Sequence, residues 1–419
     1  MSSLFAELAR QAAANARREV DTYVREIPEF AFLDVNSRAR AETLEHARWL
    51  RHRTLELAPD NAQLTDDDLD HITAMGASRS GAGMSPASPR RILRVHTALM
   101  LRELNEAAEA QPGGGIDELM RIMAWFTAQG ERGIGAYRRG FLTALNRRMP
   151  YVAQVALLTR ALLSGDPAAG ELARLVDMEV AERYAVTVVR VPGRPGDERE
   201  WEGEVEALVK AHQVPVMWCA GGAGGEGGGG GELVALVPYA TEGPVRQPAD
   251  VGLASVSAPD AVPPPPARDL LQDFAHGLGR PCAAGTATAP LGGLADALDR
   301  ARRISAAAPL RRASARLRPY TLADVFVELA VTDVPSVDHW LRTVARRLAP
   351  GPDLLVTLDA YYGHDMNRGA TATALNVHPR TLDYRLRRVR ELTGVDPGST
   401  HGVRVLGAVV TRTLSGAWP

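Results

Sequence analysis

Apolar positions give the chain three successive textures. Over the first 150 residues or so they recur at helical spacing. Leu4, Leu8, Ala12 and Ala16 share one face, followed by Val20, Tyr23, Val24 and Ile27. Pro28 is expected to close this helix, because its ring clashes with the preceding turn. A second periodic stretch covers about 35–57. Thr65 with Asp68 marks another helix start, a hydroxyl cap with carboxylates at the positive end of the dipole. Beyond the Gly/Ser-rich GASRSGAGMSP, a strongly patterned helix is predicted over about 89–110. The GGG at 113–115 separates it from one that runs to about Gln129. A break near Gly130 and a long helix over about 135–163, divided at Pro150, complete a predicted helical bundle.

From about Asp177 the pattern shortens. The segment RYAVTVVRV at 183–191 is β-branched and strand-like. A polar turn, PGRPGDERE, leads to a helix over about 202–211. Two further strands, near 214–219 and 233–238, are joined by a glycine run. The tetraproline at 263–266 is expected to form a surface loop before a helix at 268–278. A strand near 282–288 and a helix near 294–308 follow. From Leu310 the pattern is helical again, over about 322–330, 337–348, 353–362, 369–375, 379–392 and 401–414. The expected fold class is therefore multi-domain and mainly α. A helical bundle (1–152) precedes a small α/β domain (153–310) and an all-α region (311–419).

Composition changes this picture little. Hydrophobic residues at 45% and charged residues at 23% are ordinary for a globular chain. No apolar run approaches the ~18 residues of a membrane span, and the first twenty residues lack the continuous apolar block of a secretory signal, so a cytoplasmic location is expected. Cys219 and Cys282 are the only cysteines, which excludes a disulfide framework and a four-ligand structural zinc site. Basic and acidic residues balance at 48 and 50, and every basic residue except Lys210 is arginine. Arginine abundance is thus a property of the whole chain, and only its clustering carries information. Lys210, in EALVKAHQ, fits neither a GxxxxGK[ST] phosphate loop nor an SxxK nucleophile pair.

Catalytic patterns are weak. The glycine run satisfies GxGxxG from Gly222 to Gly227, but a phosphate cradle needs a helix N-terminus next, and ELVALVPY reads as a strand. A hairpin loop accounts for it better. The histidines form no HExxH, and His46 and His52 are six apart, off the spacing of a helical metal pair. Asp66, Asp67 and Asp68 crowd a helix start, where dipole partnership explains them and spaced calcium ligands are absent. No GxSxG elbow occurs. No catalytic residue, metal or cofactor is predicted.

The segment RGATATALNVHPRTLDYRLRRVR at 368–390 carries the strongest signal. Six arginines against the lone acid Asp383 give it a local charge of +5 in a nearly neutral chain. Ala372 and Leu375 form the inner stripe of a short helix, and the small Ala372 permits a close crossing. Asn376 sits where the backbone must turn sharply, a place that Asn tolerates well, and Val377 anchors the turn. Pro379 opens a longer helix with inner positions Leu382, Leu386 and Val389. This is helix-turn-helix spacing. Arg380, Thr381 and Tyr384 occupy the first turns of the second helix, the part that reads base edges in such motifs. Arg385, Arg387, Arg388 and Arg390 lie further along and suit phosphates.

The stretch at 353–397 resembles the C-terminal helix-turn-helix of PucR/CdaR-type transcriptional regulators, through LLVTLDAYY, ATALNVH, TLDYRLRRV and ELTG. It departs at Pro379 and Arg380, where the family more often has Arg-Asn before the threonine. Residues 153–310 resemble the degenerate GGDEF-like domain of such regulators. GGELVALVP stands where an active cyclase has GG[D/E]EF, which implies no cyclic-dinucleotide synthesis. Residues 1–152 are similar to an RsbR-type N-terminal helical domain, with YVREIPEFA as the best local match. The resemblance implies a non-enzymatic, DNA-binding regulator with upstream sensory or assembly domains and an unidentified effector. One short recognition helix buries little surface, so double-stranded DNA is expected to be bound by a homodimer or higher homo-oligomer. The rival reading is a signalling scaffold whose basic C-terminal helix is only a solvated or protein-binding face.

Overall fold

The computed structural model of the chain describes residues 3–81, 84, 88–110, 116–193, 198–220, 230–239, 265–314, 316–351 and 353–418. The glycine run at 221–229 and the first two residues of the tetraproline lie outside them. Two units separate at Pro150, the first holding residues 1–150 and the second 151–419.

The first unit is helical. Helix α1 (Leu4–Glu26) starts at Ser3, whose hydroxyl accepts from the Ala6 N–H, and it ends before Pro28, which opens a short 3₁₀ segment (Pro28–Asp34). Helix α2 (Ser37–Leu57) is capped by the Asn36 side chain. Helix α3 (Asp66–Gly81) begins with the predicted cap. The Asp68 N–H donates to the Thr65 hydroxyl, and the Thr65 N–H donates to the Asp68 carboxylate, satisfying two free donors at once. Arg53 also binds Asp68, so this acidic start is a cap joined to an ion pair. Helices α4 (Ser88–Glu109) and α5 (Ile116–Asn146) complete the unit.

The predicted break at Gly130 does not occur, since α5 runs unbroken through Gly130, Gly133 and Gly135. A helical glycine costs only about 1 kcal/mol relative to alanine, which tertiary packing readily offsets. Small residues are demanded elsewhere, at Gly76 of α3 and Gly140 of α5. A Cβ at Gly140 would lie 1.9 Å from the Thr73 carbonyl oxygen, and one at Gly76 would lie 2.0 Å from that of Tyr137. The backbones of α3 and α5 therefore touch where these glycines cross.

A buried charge cluster ties α1, α2 and α4 together. The Arg51 guanidinium donates to both Glu103 carboxylate oxygens at 3.0 and 2.5 Å and to Glu19 at 2.5 Å. Glu19 also meets His96 Nδ1 at 2.8 Å and accepts from the Tyr23 hydroxyl. Burial by itself would raise the Glu19 carboxyl. His96, Arg51 and the Tyr23 hydroxyl outweigh it and hold the group well below the usual carboxylate range.

In the second unit, α6 (Tyr151–Leu163) and the short α7 (Ala169–Leu175) lead into a five-stranded mixed sheet. Its strands are β1 (Arg183–Val191), β2 (Val216–Ala220), β3 (Gly231–Pro238), β4 (Ala283–Pro290) and β5 (Pro319–Tyr320), in the order β2-β3-β1-β4-β5. β1 pairs antiparallel with both β3 and β4, β2 pairs antiparallel with β3, and β4 pairs parallel with β5. Thr187 faces Thr286 across β1 and β4, with their hydroxyls 3.1 Å apart. β1 is buried almost throughout, which explains its continuous β-branched run. Helices α8 (Glu198–His212), α9 (Pro265–Leu278) and α10 (Leu294–Ala307) accompany the sheet.

Three boundaries differ from expectation. α8 begins inside the segment read as a polar turn. α9 starts at Pro265, within the tetraproline, because the first helical turn needs no N–H donor and proline's fixed φ suits it. The two-residue β5 is too short to leave a periodic signal.

Six helices close the unit: α11 (Leu322–Thr332), α12 (Pro335–Leu348), α13 (Leu354–Gly363), α14 (Arg368–Ala374), α15 (Pro379–Thr393) and α16 (Thr400–Leu414). They are tied to the sheet through named contacts. Arg190 donates to the Ser415 carbonyl at 2.9 Å, the Leu310 N–H to that of Leu414 at 2.9 Å, and Arg311 binds both Asp359 carboxylate oxygens. This architecture matches the expected class of helical bundle, small mixed sheet and all-α C-terminal region.

The Glu19 cluster sets an acid limit on stability. A carboxyl with a depressed folded-state pKa stabilises fully above its unfolded value, near ~4.3, and loses that contribution as pH falls through the folded value. Thermal melting of the chain should therefore weaken as pH drops below about 4.5. Glu19→Gln should melt lower at pH 7 and change less between pH 5 and 3. An unchanged pH profile in that variant would refute the assignment.

Candidate nucleic-acid interface

The helix-turn-helix forms as its residue types require. The Asn367 side chain accepts from the Ala370 N–H to start α14. The chain then reverses at Asn376, which takes φ +50°, the left-handed conformation predicted for it. The Val377 N–H donates back to the Ala372 carbonyl at 3.0 Å and closes the turn. His378 caps α15 through Nδ1, which accepts from the Arg380 N–H at 3.2 Å, and Pro379 takes the first helical position. Gly394, at φ +74°, ends the helix with its N–H on the Arg390 carbonyl.

The inner face of α15 is apolar. Leu382, Leu386 and Val389 are buried in one core with Ala372, with Leu354, Leu358 and Tyr361 of α13, and with Val405, Leu406 and Val409 of α16. Leu375 and Val377 pack partly buried against it. Burying each such side chain fully contributes about 1.5–3 kcal/mol. At 3.6 residues per turn, this burial fixes which side chains face outward.

Asp383, Arg390 and Glu391 are exposed on α15, and Arg380, Thr381, Tyr384, Arg387 and Arg388 are exposed together, with Tyr384 at 63%. Their offsets of one, four, seven and eight from Arg380 make a single helical face. Arg380 and Arg387 enter no ion pair among the described residues. Arg388 pairs with Glu391 at 2.9 Å, Arg390 with Asp396 at 3.5 Å, and Arg368 of α14 with Asp383 at 3.7 Å. Surface pairs of this kind are worth at most about 1 kcal/mol, so an approaching phosphate can replace them.

Arg385 is partly buried. Its side chain turns toward α13, donating to the Thr357 hydroxyl at 3.2 Å and to the Asp353 carboxylate at 2.8 Å. It braces α15 against the start of α13. Nothing in the local spacing signalled this, because the partners lie 28 and 32 positions away.

Elsewhere, no helix among the described residues is long and apolar enough to cross a membrane. No group of three or more His, Cys, Asp or Glu among them could hold a metal ion. Cys219 and Cys282 are free thiols.

Comparison with known proteins places these features in context. Residues 354–408 match the family described as the PucR C-terminal helix-turn-helix domain. Residues 13–149 match the N-terminal domain of the RsbT co-antagonist protein rsbRD. An uncharacterized protein of Mycobacterium tuberculosis is 38% identical over 96 residues, covering 22% of this chain and 23% of that protein. The carbohydrate diacid regulator of Escherichia coli is 49% identical over 43 residues, covering 10% and 11%. The match thus spans less than a quarter of the length of these curated relatives. The crystal structure of a regulator of polyketide synthase expression from Bifidobacterium adolescentis aligns at 16% identity and a TM-score of 0.23, over 65% of this chain and 98% of that one. The class defined by fold and site is a helix-turn-helix protein with upstream domains. In particular, residues 354–408 are similar to PucR-type helix-turn-helix domains and residues 13–149 to the rsbRD N-terminal domain.

The seam under α15 is directly testable. Leu382→Ala should destabilise the C-terminal core by about 2–5 kcal/mol, the range for a buried leucine truncated to alanine. Urea denaturation followed by circular dichroism measures it, and a loss well under ~1 kcal/mol would contradict the packing described.

Proposed function

We propose that this chain is a sequence-specific, DNA-binding transcriptional regulator of the PucR type. The observation that carries this reading is the single solvent face of α15, where Arg380, Thr381, Tyr384, Arg387 and Arg388 stand opposite a fully buried seam. Arg380 and Thr381 lie in the first turn, the part of a recognition helix that reaches base edges. Arginine pairs bidentately with guanine, and threonine contacts a base edge or methyl group. Arg387 and Arg388 suit phosphates, which give affinity and orientation without sequence choice. The match to the PucR helix-turn-helix family over the same residues supports this assignment.

The proposal extends to organisation along the chain. A bundle at 1–152 acts in signal sensing, a degenerate GGDEF-like domain spans 153–310, and DNA binding resides in 311–419. A small-molecule effector, a cytoplasmic location and the absence of enzymatic activity belong to the same reading. The acid beside the glycine run supports a non-catalytic middle domain. Glu232 is buried and held by Arg302 at 2.8 and 2.5 Å, so its carboxylate is engaged inside the protein.

A recognition helix of this size needs a second half-site, so the working species is a homodimer. Exposed apolar residues support a place for the contact. Leu322 and Phe326 of α11 and Val337 and Trp340 of α12 are exposed, the latter two beside the buried Leu341, Val344 and Leu348. Exposed aromatic and aliphatic residues of this kind favour association. These residues lie on the C-terminal helices.

Arg380→Ala should cost about 1–3 kcal/mol of discrimination between target and random duplex. Arg387→Ala should weaken both alike and reduce the salt slope by about one. Fluorescence anisotropy at several salt concentrations separates these outcomes. Equal proportional losses on both duplexes for both variants would overturn the division of roles, and no salt-dependent retention of DNA would overturn the function.

Sedimentation should show a dimer at micromolar concentration. Combining Phe326→Glu with Trp340→Glu should weaken it by roughly 30-fold or more, the scale of losing one interface hot spot. A wild-type monomer at that concentration would contradict the dimer.

A further inference from the structure

The N-terminal unit holds a cavity of about 400 Å³, inside the ~300–1,000 Å³ range of small-molecule sites. Its lining is mainly apolar, with Ile72, Met100 and Trp125 contributed by α3, α4 and α5. Leu101 and Met123 also line it and are solvent-exposed, so it opens to the outside.

Three polar groups in this lining have unused capacity. The Tyr137 side chain is more than nine-tenths buried, and its hydroxyl has no hydrogen-bond partner. His46 Nδ1 is likewise buried and unpartnered. Arg79 stacks over the Phe30 ring at 4.9 Å and donates to the Thr43 hydroxyl at 2.8 Å, yet no carboxylate among the described residues pairs with it. Burial pushes the Tyr137 hydroxyl up to about 12 and lowers His46, and the Arg79 charge acts on both, so the three groups share one electrostatic neighbourhood. Native proteins seldom leave buried donors idle, and orphaned groups mark a place where a partner is missing.

The acids of the lining do not supply that partner. Glu19 is engaged by Arg51, His96 and Tyr23, and Glu131 faces solvent. An arginine without a counter-charge, beside a phenol and an imidazole in an apolar chamber, is complementary to one small anion carried on an apolar body. A carboxylate suits it best, because arginine binds it through paired charge-assisted hydrogen bonds while the phenol donates one more.

We infer that this cavity binds an apolar organic monocarboxylate, with the carboxylate on Arg79, Tyr137 and His46 and the apolar body against Ile72, Met100 and Trp125. This deepens the sensory role proposed for the N-terminal unit by naming the chemical class of its ligand. The test below involves no DNA, so failure of the ligand site and failure of the DNA-binding reading are scored separately.

The experiment is isothermal titration of the full chain with two matched probe pairs, 2-naphthoate with 2-naphthamide and octanoate with octanamide. At least one acid should bind saturably at one site per chain, and its uncharged amide should bind roughly tenfold or more weakly, the scale of a charge-assisted contact. Arg79→Gln and Tyr137→Phe should each weaken the acid by roughly tenfold and leave the amide within about twofold. Circular dichroism checks the fold of both variants. Tyr137→Phe retains the ring and decides the matter if Arg79→Gln loses its structure. Absence of saturable binding by either acid overturns the proposal. So does equal binding of acid and amide, or acid affinity indifferent to the substitutions in folded protein.

Discussion

The C-terminal domain depends on the burial of Leu382, Leu386 and Val389 against α12, α13 and α14. An α-helix offers one continuous surface, and whichever stripe enters the core decides what is left outside. Once this seam is sequestered, Arg380, Thr381, Tyr384, Arg387 and Arg388 have no other direction in which to point. The turn at Asn376 and the cap at His378 set where the helix begins. Arg385 then fixes α15 to the start of α13 through Asp353 and Thr357. The basic surface is therefore held on a braced scaffold, the condition under which a contact to a base edge has a defined geometry.

The N-terminal unit follows a different logic. Its close crossing of α3 and α5 requires glycine at 76 and 140, because a methyl group there would enter the partner's backbone. Its charged interior requires Arg51 to serve Glu19 and Glu103 together, since an unpaired buried charge is far costlier than a paired one. Beside this charged interior the bundle leaves an apolar chamber, whose lining includes Glu19 as well as Arg79, His46 and Tyr137.

Within the second unit the sheet and the C-terminal helices share backbone and ionic contacts. The Leu310 N–H on the Leu414 carbonyl, Arg190 on Ser415 and Arg311 on Asp359 cross between parts of the chain that the sequence pattern separates into domains. Arg311 on Asp359 joins this region to α13, one of the helices against which α15 packs.

Local patterns in the sequence determined much of this protein. The Ala372, Leu382, Leu386 and Val389 spacing, Asn at the reversal, Pro379 at a helix start and the Thr65–Asp68 cap are all short-range signals, decided by 3.6-residue periodicity and by backbone preferences of single residue types. The β-branched run of β1 was legible for the same reason. Tertiary structure decided what spacing cannot encode. Gly130, Gly133 and Gly135 stay helical because packing outweighs their weak propensity, and a proline-rich stretch yields a helix start because the first turn needs no donors. Arg385 turns inward and Glu232 finds Arg302 across long separations in sequence, and the chamber of Arg79, His46 and Tyr137 draws on several helices. Such pairings depend on which faces meet after folding, and only the three-dimensional arrangement of the whole unit brings them together.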